Sequence, residues 1–79
     1  MKEPLYVITL FSDGKIKPIY FIWNNRRLKI ENITYNWRTV DENGINQHFS
    51  VISGSFYYHL LFVTSMSRWY LTEVESTLA

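Results

Sequence analysis

From Tyr20 to Trp37 the chain reads YFIWNNRRLKIENITYNW, with apolar and polar positions alternating on both sides of Asn24-Asn25. Asparagine tolerates positive φ better than any residue except glycine, so a two-residue hairpin loop is predicted there. The loop sets Trp23 opposite Arg26, Phe21 opposite Leu28 and Ile19 opposite Ile30 on one face. On the other face Ile22 meets Arg27 and Tyr20 meets Lys29. The first face is nearly all apolar, whereas the second puts cations beside a ring and an aliphatic chain, as a half-solvated surface does.

Upstream, Tyr6 to Phe11 is rich in β-branched and aromatic residues and ends at Ser12-Asp13-Gly14-Lys15, a strong hairpin signal. Pairing across it matches Leu10 with Lys17, Ile8 with Ile19 and Tyr6 with Phe21. Both turns therefore converge on one predicted inner face of Tyr6, Ile8, Leu10, Ile19, Phe21, Leu28 and Ile30. Pro18 has no N–H to give a ladder, so its nitrogen must point away from a partner or sit at an irregularity.

After Ile30 the alternation slips. Ile33, Tyr35 and Trp37 are out of phase with Leu28 and Ile30, and a β-bulge near Glu31-Asn32 would return them to the inner face while sharpening the twist. Asp41-Glu42-Asn43-Gly44 is the next turn, Ile45 to Ile52 the next strand, and Ser53-Gly54-Ser55 a further turn. Phe56 to Val63 is the most apolar run and reads as the central strand. Thr64 to Ser67 turns the chain into Arg68 to Val74, where Trp69, Leu71 and Val74 face inward. The tail from Glu73 to Ala79 is open between strand, coil and a helical turn. The expected fold is all-β, a six-stranded antiparallel meander spanning 1–79 as one domain, strongly twisted and closing toward a small barrel. Trp37, Phe49, Leu60, Phe62 and Trp69 are its expected core contributors.

Composition narrows the chemistry. With 79 residues the core is modest, but 18% aromatic content supplies large buried area per side chain, so no staple is required. The absence of cysteine removes disulfides, thiolate zinc sites and a Cys nucleophile. The N-terminus reads as neither a signal peptide nor a membrane span, and a soluble, cytoplasmic protein is expected. A formal net charge of +1 with scattered charges argues against a bulk polyelectrolyte binder.

His48 and His59 are the only histidines, and no third ligand stands at a recognisable metal spacing, so no metal or cofactor is expected. Ser50, Ser53 and Ser55 lack a nucleophile-elbow motif, and Ser53-Gly54-Ser55 is better explained as a turn. The paired carboxylates Asp41-Glu42 sit beside Asn43-Gly44 in a predicted exposed loop, a poor setting for acid catalysis. No catalytic residues are assigned, and a non-enzymatic module is expected.

The order Phe21-x-Trp23, a basic turn, Leu28-x-Ile30-x-x-Ile33, Trp37-Arg38, Phe49-x-Val51, Tyr58-x-Leu60-x-Phe62 and Arg68-Trp69-Tyr70-Leu71 resembles a family of small bacterial domains of unknown function. It is also similar to the C-terminal module of some bacterial proteins related to translesion DNA polymerases. The resemblance covers Pro18 to Val74, brings no catalytic residues, and implies a nucleic-acid or repair-partner role.

Two binding surfaces follow from the predicted register. Tyr20, Trp23, Arg26, Arg27 and Lys29, with Lys15 and Lys17 nearby, combine cations and rings as single-stranded nucleic-acid binders do. Val7, Phe11, Ile16, Tyr20 and Ile22 form an outer face too apolar to stand in water unexplained, and a protein partner or homo-oligomer covering it is the preferred reading.

Overall fold

The computed structural model describes residues 2–78, so the Ala79 end of the tail lies outside the described residues. Among the described residues seven strands form one antiparallel sheet: β1 Glu3–Ser12, β2 Lys15–Trp23, β3 Arg26–Lys29, β4 Asn32–Asp41, β5 Gly44–Ser53, β6 Phe56–Val63 and β7 Arg68–Ser76. The tail is strand as far as Ser76. The seventh strand arises because the predicted third one breaks at Ile30-Glu31. Ile30 N–H still donates to Ile19 of β2, but Glu31 N–H already donates to Ile52 of β5.

The sheet order is β3-β2-β1-β7-β6-β5-β4. Strands adjacent in sequence pair with each other except β3 and β4, which stand at the two edges, and the one pairing between strands distant in sequence is β1 with β7 through Glu3–Leu71, Pro4–Tyr70 and Leu5–Trp69. The meander therefore curls round on itself as a half-barrel, joined between its first and last strands and open between β3 and β4. Among the described residues no helix is long and apolar enough to cross a membrane.

The turns follow their residues. Asn24 and Asn25 both have positive φ, 52° and 60°, as do Asp13 and Gly14 at 52° and 74°, the pattern that matches hairpin twist. Three irregularities then decide which side chains go inside. In the β1–β2 ladder Ile8 pairs with Tyr20 but Thr9 with Pro18, leaving Ile19 as an extra residue beside the proline that cannot donate. In β4 the extra residue is Thr34, whose Oγ1 donates to Ser50 O at 3.1 Å. In β7 it is Thr72, whose Oγ1 donates to His59 O at 3.2 Å.

The first irregularity corrects the predicted inner face. From Ile19 onward it reverses the alternation of β1, so Val7, Phe21 and Leu28 share the inward rung, while Tyr6, Ile8 and Leu10 are exposed. Val7 and Ile16, expected outside, pack against the core. The second corrects Trp37. The bulge falls at Thr34 rather than near Glu31-Asn32, returning only Ile33 to the interior and leaving Tyr35 and Trp37 outside. The third leaves Trp69 and Leu71 buried and brings Val74 against them.

The core comprises Leu5, Phe21, Phe49, Val51, Tyr58, Leu60, Phe62, Trp69 and Leu71. Phe21, Val51, Leu60 and Leu71 are wholly buried, each contributing about 1.5–3 kcal/mol against exposure. Rings meet edge-on, with Phe21 4.9 Å from Tyr58 and Trp23 5.8 Å from Tyr58. Burial raises the Tyr58 hydroxyl pKa, opposed by the Arg26 charge. Among the described residues no buried side-chain nitrogen or oxygen lacks a hydrogen-bond partner.

Candidate functional site

The residues of the two predicted surfaces are redistributed by the register. Tyr6 of β1, Ile22 of β2 and Arg27 of β3 lie directly opposite one another, and so do Ile8, Tyr20 and Lys29. Both rungs point away from the core, because the rung between them, Val7-Phe21-Leu28, faces it, with Phe21 buried and Val7 and Leu28 packed against the core. Each outward rung thus holds one tyrosine, one isoleucine and one cation, and no acid.

Tyr6 is 81% exposed, Ile8 48% and Ile22 42%. The Arg27 guanidinium lies over the Tyr20 ring, 4.5 Å from its centroid, a cation–π contact that holds the arginine flat against the sheet. In the next column, Tyr70 of β7 pairs with Pro4 of β1 and carries the Lys2 ammonium 4.7 Å above its ring. A shallow groove of about 470 Å³ runs between Pro4, Tyr6, Arg68 and Tyr70. The nearest carboxylate along β1, Glu3, is turned to the other side, where its Oε2 accepts from Trp23 Nε1 at 3.3 Å.

Tyr20, Arg27 and Lys29 of the predicted nucleic-acid set therefore share this face. Trp23 and Arg26 pair with each other on the inward side, Trp23 half-buried against the core. Of the predicted interface set, Tyr20 and Ile22 are on the face, Val7 and Ile16 are inward, and Phe11 is exposed near the β1–β2 turn. The two predicted surfaces merge into one. Tyr6 and Ile8 were missed because the expected ladder had no bulge at Ile19, and the proline before it was the available signal.

A second outward cluster lies on β4, β5 and β6. Trp37 stacks on His48 with ring centres 4.9 Å apart and planes 7° from parallel, and lies 5.1 Å from the His59 ring. His48 Nδ1 and His59 Nε2 share a hydrogen bond at 3.0 Å, and His48 Nε2 shares one with Thr39 Oγ1 at 2.8 Å. Burial, then the charge of His59, lowers the His48 pKa. Burial also lowers that of His59, partly offset by Glu73, which lies opposite it on β7. Among the described residues no group of three or more His, Cys, Asp or Glu stands close enough to hold a metal ion.

No known family model, curated protein or solved structure matches this chain.

Proposed function

We propose that the chain is a non-catalytic binding module that holds single-stranded nucleic acid on the outer face of β3, β2, β1 and β7. The observation that carries this reading is the make-up of the two outward rungs, Tyr6-Ile22-Arg27 and Ile8-Tyr20-Lys29. Single strands are held by cations that track the phosphates and by flat rings on which bases stack, with little demand for base-specific hydrogen bonds. Tyr6 presents its ring to solvent, Tyr20 presents a ring already layered with a guanidinium, and Lys29 and Lys2 flank them. An acid among them would repel the backbone, and these rungs contain none.

Fluorescence anisotropy with a labelled oligothymidylate tests the proposal. Three phosphate contacts predict an affinity loss of roughly 20-fold between about 50 and about 200 mM salt. Replacing both Arg27 and Lys29 by Glu abolishes binding while leaving the fold intact. Binding that is indifferent to salt, or unchanged in that variant, rejects it.

A second reading, contact between protein chains through the same face, is favoured by the exposure of Ile8 and Ile22 side by side with Tyr6. Sedimentation at micromolar concentration separates the two. A dimer dissolved by Ile22→Lys, together with no oligonucleotide binding, selects this second reading.

A further inference from the structure

The half-barrel is open on one side, and the opening has the form of a wedge. Its narrow end is the covalent joint at Ile30-Glu31, where the edges of the sheet are pinned by the bonds from Ile30 to Ile19 and from Glu31 to Ile52. From there the edges part. β3 covers β2 only from Tyr20 to Trp23, so among the described residues the stretch from Lys15 to Pro18 has β1 alone as its ladder partner, and β4 pairs with β5 alone.

Two grooves run along this wedge. One of about 440 Å³, lined by Pro18, Ile19, Ile30 and Ile33, occupies the narrow end. The other, of about 610 Å³, lies between Leu10, Ile16 and Lys17 on one bank and Ile33, Arg38 and Phe49 on the other. At the spacing of strands and packed layers in a sheet, the wider groove has room for about four residues of extended chain.

The two banks are not equal as templates. The β2 bank carries Lys15, Lys17 and Pro18, residues that blunt an edge against strand addition. The β4 edge is ten residues long, and past its bulge at Thr34 it runs from Tyr35 to Asp41 with neither lysine nor proline. In an antiparallel pair alternate residues direct their N–H and C=O groups away from the partner, so β4 offers a row of such groups to the wedge. The wider groove also has a charge preference: Lys15, Lys17 and Arg38 line it against the one acid Asp13.

We propose that this wedge is a docking site for an extended acidic-and-apolar peptide segment of a partner protein, added as a strand to the free edge of β4. Backbone hydrogen bonds to β4 supply the common part of the affinity. Inward-facing β-branched side chains fill the space beside Ile16, Ile33 and Phe49, and carboxylates toward the wide end meet Arg38 and the two lysines. The site uses no residue of the rungs Tyr6-Ile22-Arg27 and Ile8-Tyr20-Lys29 and does not depend on what they bind.

The test uses ¹⁵N-labelled protein and a pool of synthetic decapeptides alternating Val or Ile with Asp or Glu, beside a matching pool with Lys in place of the acids. The expected result is amide shift changes confined to β4 and to Lys15–Lys17, with the acidic pool at least ten-fold tighter, as roughly 1.4 kcal/mol of charge preference gives. Arg38→Glu, at an exposed position, narrows or reverses that preference without altering the rest of the spectrum. N-methylation of alternate peptide nitrogens in the tightest member removes binding in one phase and spares it in the other. Absence of β4 shifts with millimolar acidic pool overturns the proposal, as does binding that survives N-methylation in both phases. Two further results overturn it in favour of another occupant: β4 shifts that depend on protein concentration alone, which mean a second copy, and oligonucleotide shifts in the wedge.

Discussion

On β4 to β6 the outward rings of Trp37, His48 and His59 are paired with one another, whereas on β1 Tyr6 faces water and on β2 Tyr20 is covered by a guanidinium. Trp37, His48 and His59 form one set, joined by the stack, the His–His bond and the Thr39 bond. Tyr6, Ile8 and Ile22 stand exposed, and the Arg27 guanidinium is supported by a ring rather than neutralised by an acid. One sheet, on one side, thus carries a patch whose rings are matched to one another and a patch of exposed apolar side chains beside cations. Rings and cations mark a binding surface when they are left unmatched; the same residue types matched to neighbours mark local structure.

The largest effect comes from removing what supports both regions. Leu60 is wholly buried in β6, and Leu60→Ala is expected to cost about 2–5 kcal/mol in urea unfolding. A loss below about 1 kcal/mol would mean that the two halves do not share a core. Next, Arg27→Glu with Lys29→Glu should eliminate oligonucleotide binding yet change stability by no more than about 0.5 kcal/mol per site, since both side chains are exposed. Trp37→Ala should do the reverse, lowering stability and sparing binding. Equal effects of the two variants on both readouts would erase the distinction between the patches.

Acid sharpens the comparison from the other side. Burial holds both imidazoles below the ordinary value of about 6.5, so as pH falls the unfolded chain takes up protons before the folded one does. The stability contribution is therefore complete above about pH 6.5 and is lost as pH falls through the folded values. One added proton leaves the His48–His59 bond a donor, while a second sets two N–H groups against each other. Thermal unfolding between pH 7.5 and 5 should show this decline, and the double variant His48→Gln, His59→Gln should flatten it. A wild-type slope that persists in the double variant would assign the titration to other groups. The smallest effect is expected at the bulge, where Thr34→Ala removes a hydrogen bond to Ser50 and costs about 0.5 kcal/mol.

Turn chemistry made most of the strands legible in the sequence. Asn24-Asn25, Asp13-Gly14 and Gly54 stand where positive φ is required, and Phe56–Val63 is a strand with the expected bounds. Side-chain facing was less legible, because one extra residue reverses every position beyond it. Pro18 announced an irregularity without fixing its side, and the reversal at Ile19 exchanged Val7 and Ile16 with Tyr6 and Ile8. At the bulges of Thr34 and Thr72 the threonine hydroxyls donate to carbonyls of the paired strand, Ser50 on β5 and His59 on β6, a contact that depends on a pairing the sequence does not state. The β1–β7 joint is a contact between chain ends and carries no local signal at all. Of the candidate site, the cations and Tyr20 and Ile22 were readable from the Asn-Asn hairpin, whereas Tyr6 and Ile8 required the ladder itself.

Whether the outer face of β1 to β3 is the working surface can be read residue by residue from an NMR titration with an oligothymidylate. The largest shift changes are expected at Tyr6, Ile8, Tyr20, Ile22, Arg27 and Lys29, shrinking as salt rises, with Trp37, His48 and His59 unmoved. Shifts centred on Trp37 and the histidine pair, with the two outward rungs silent, would contradict it.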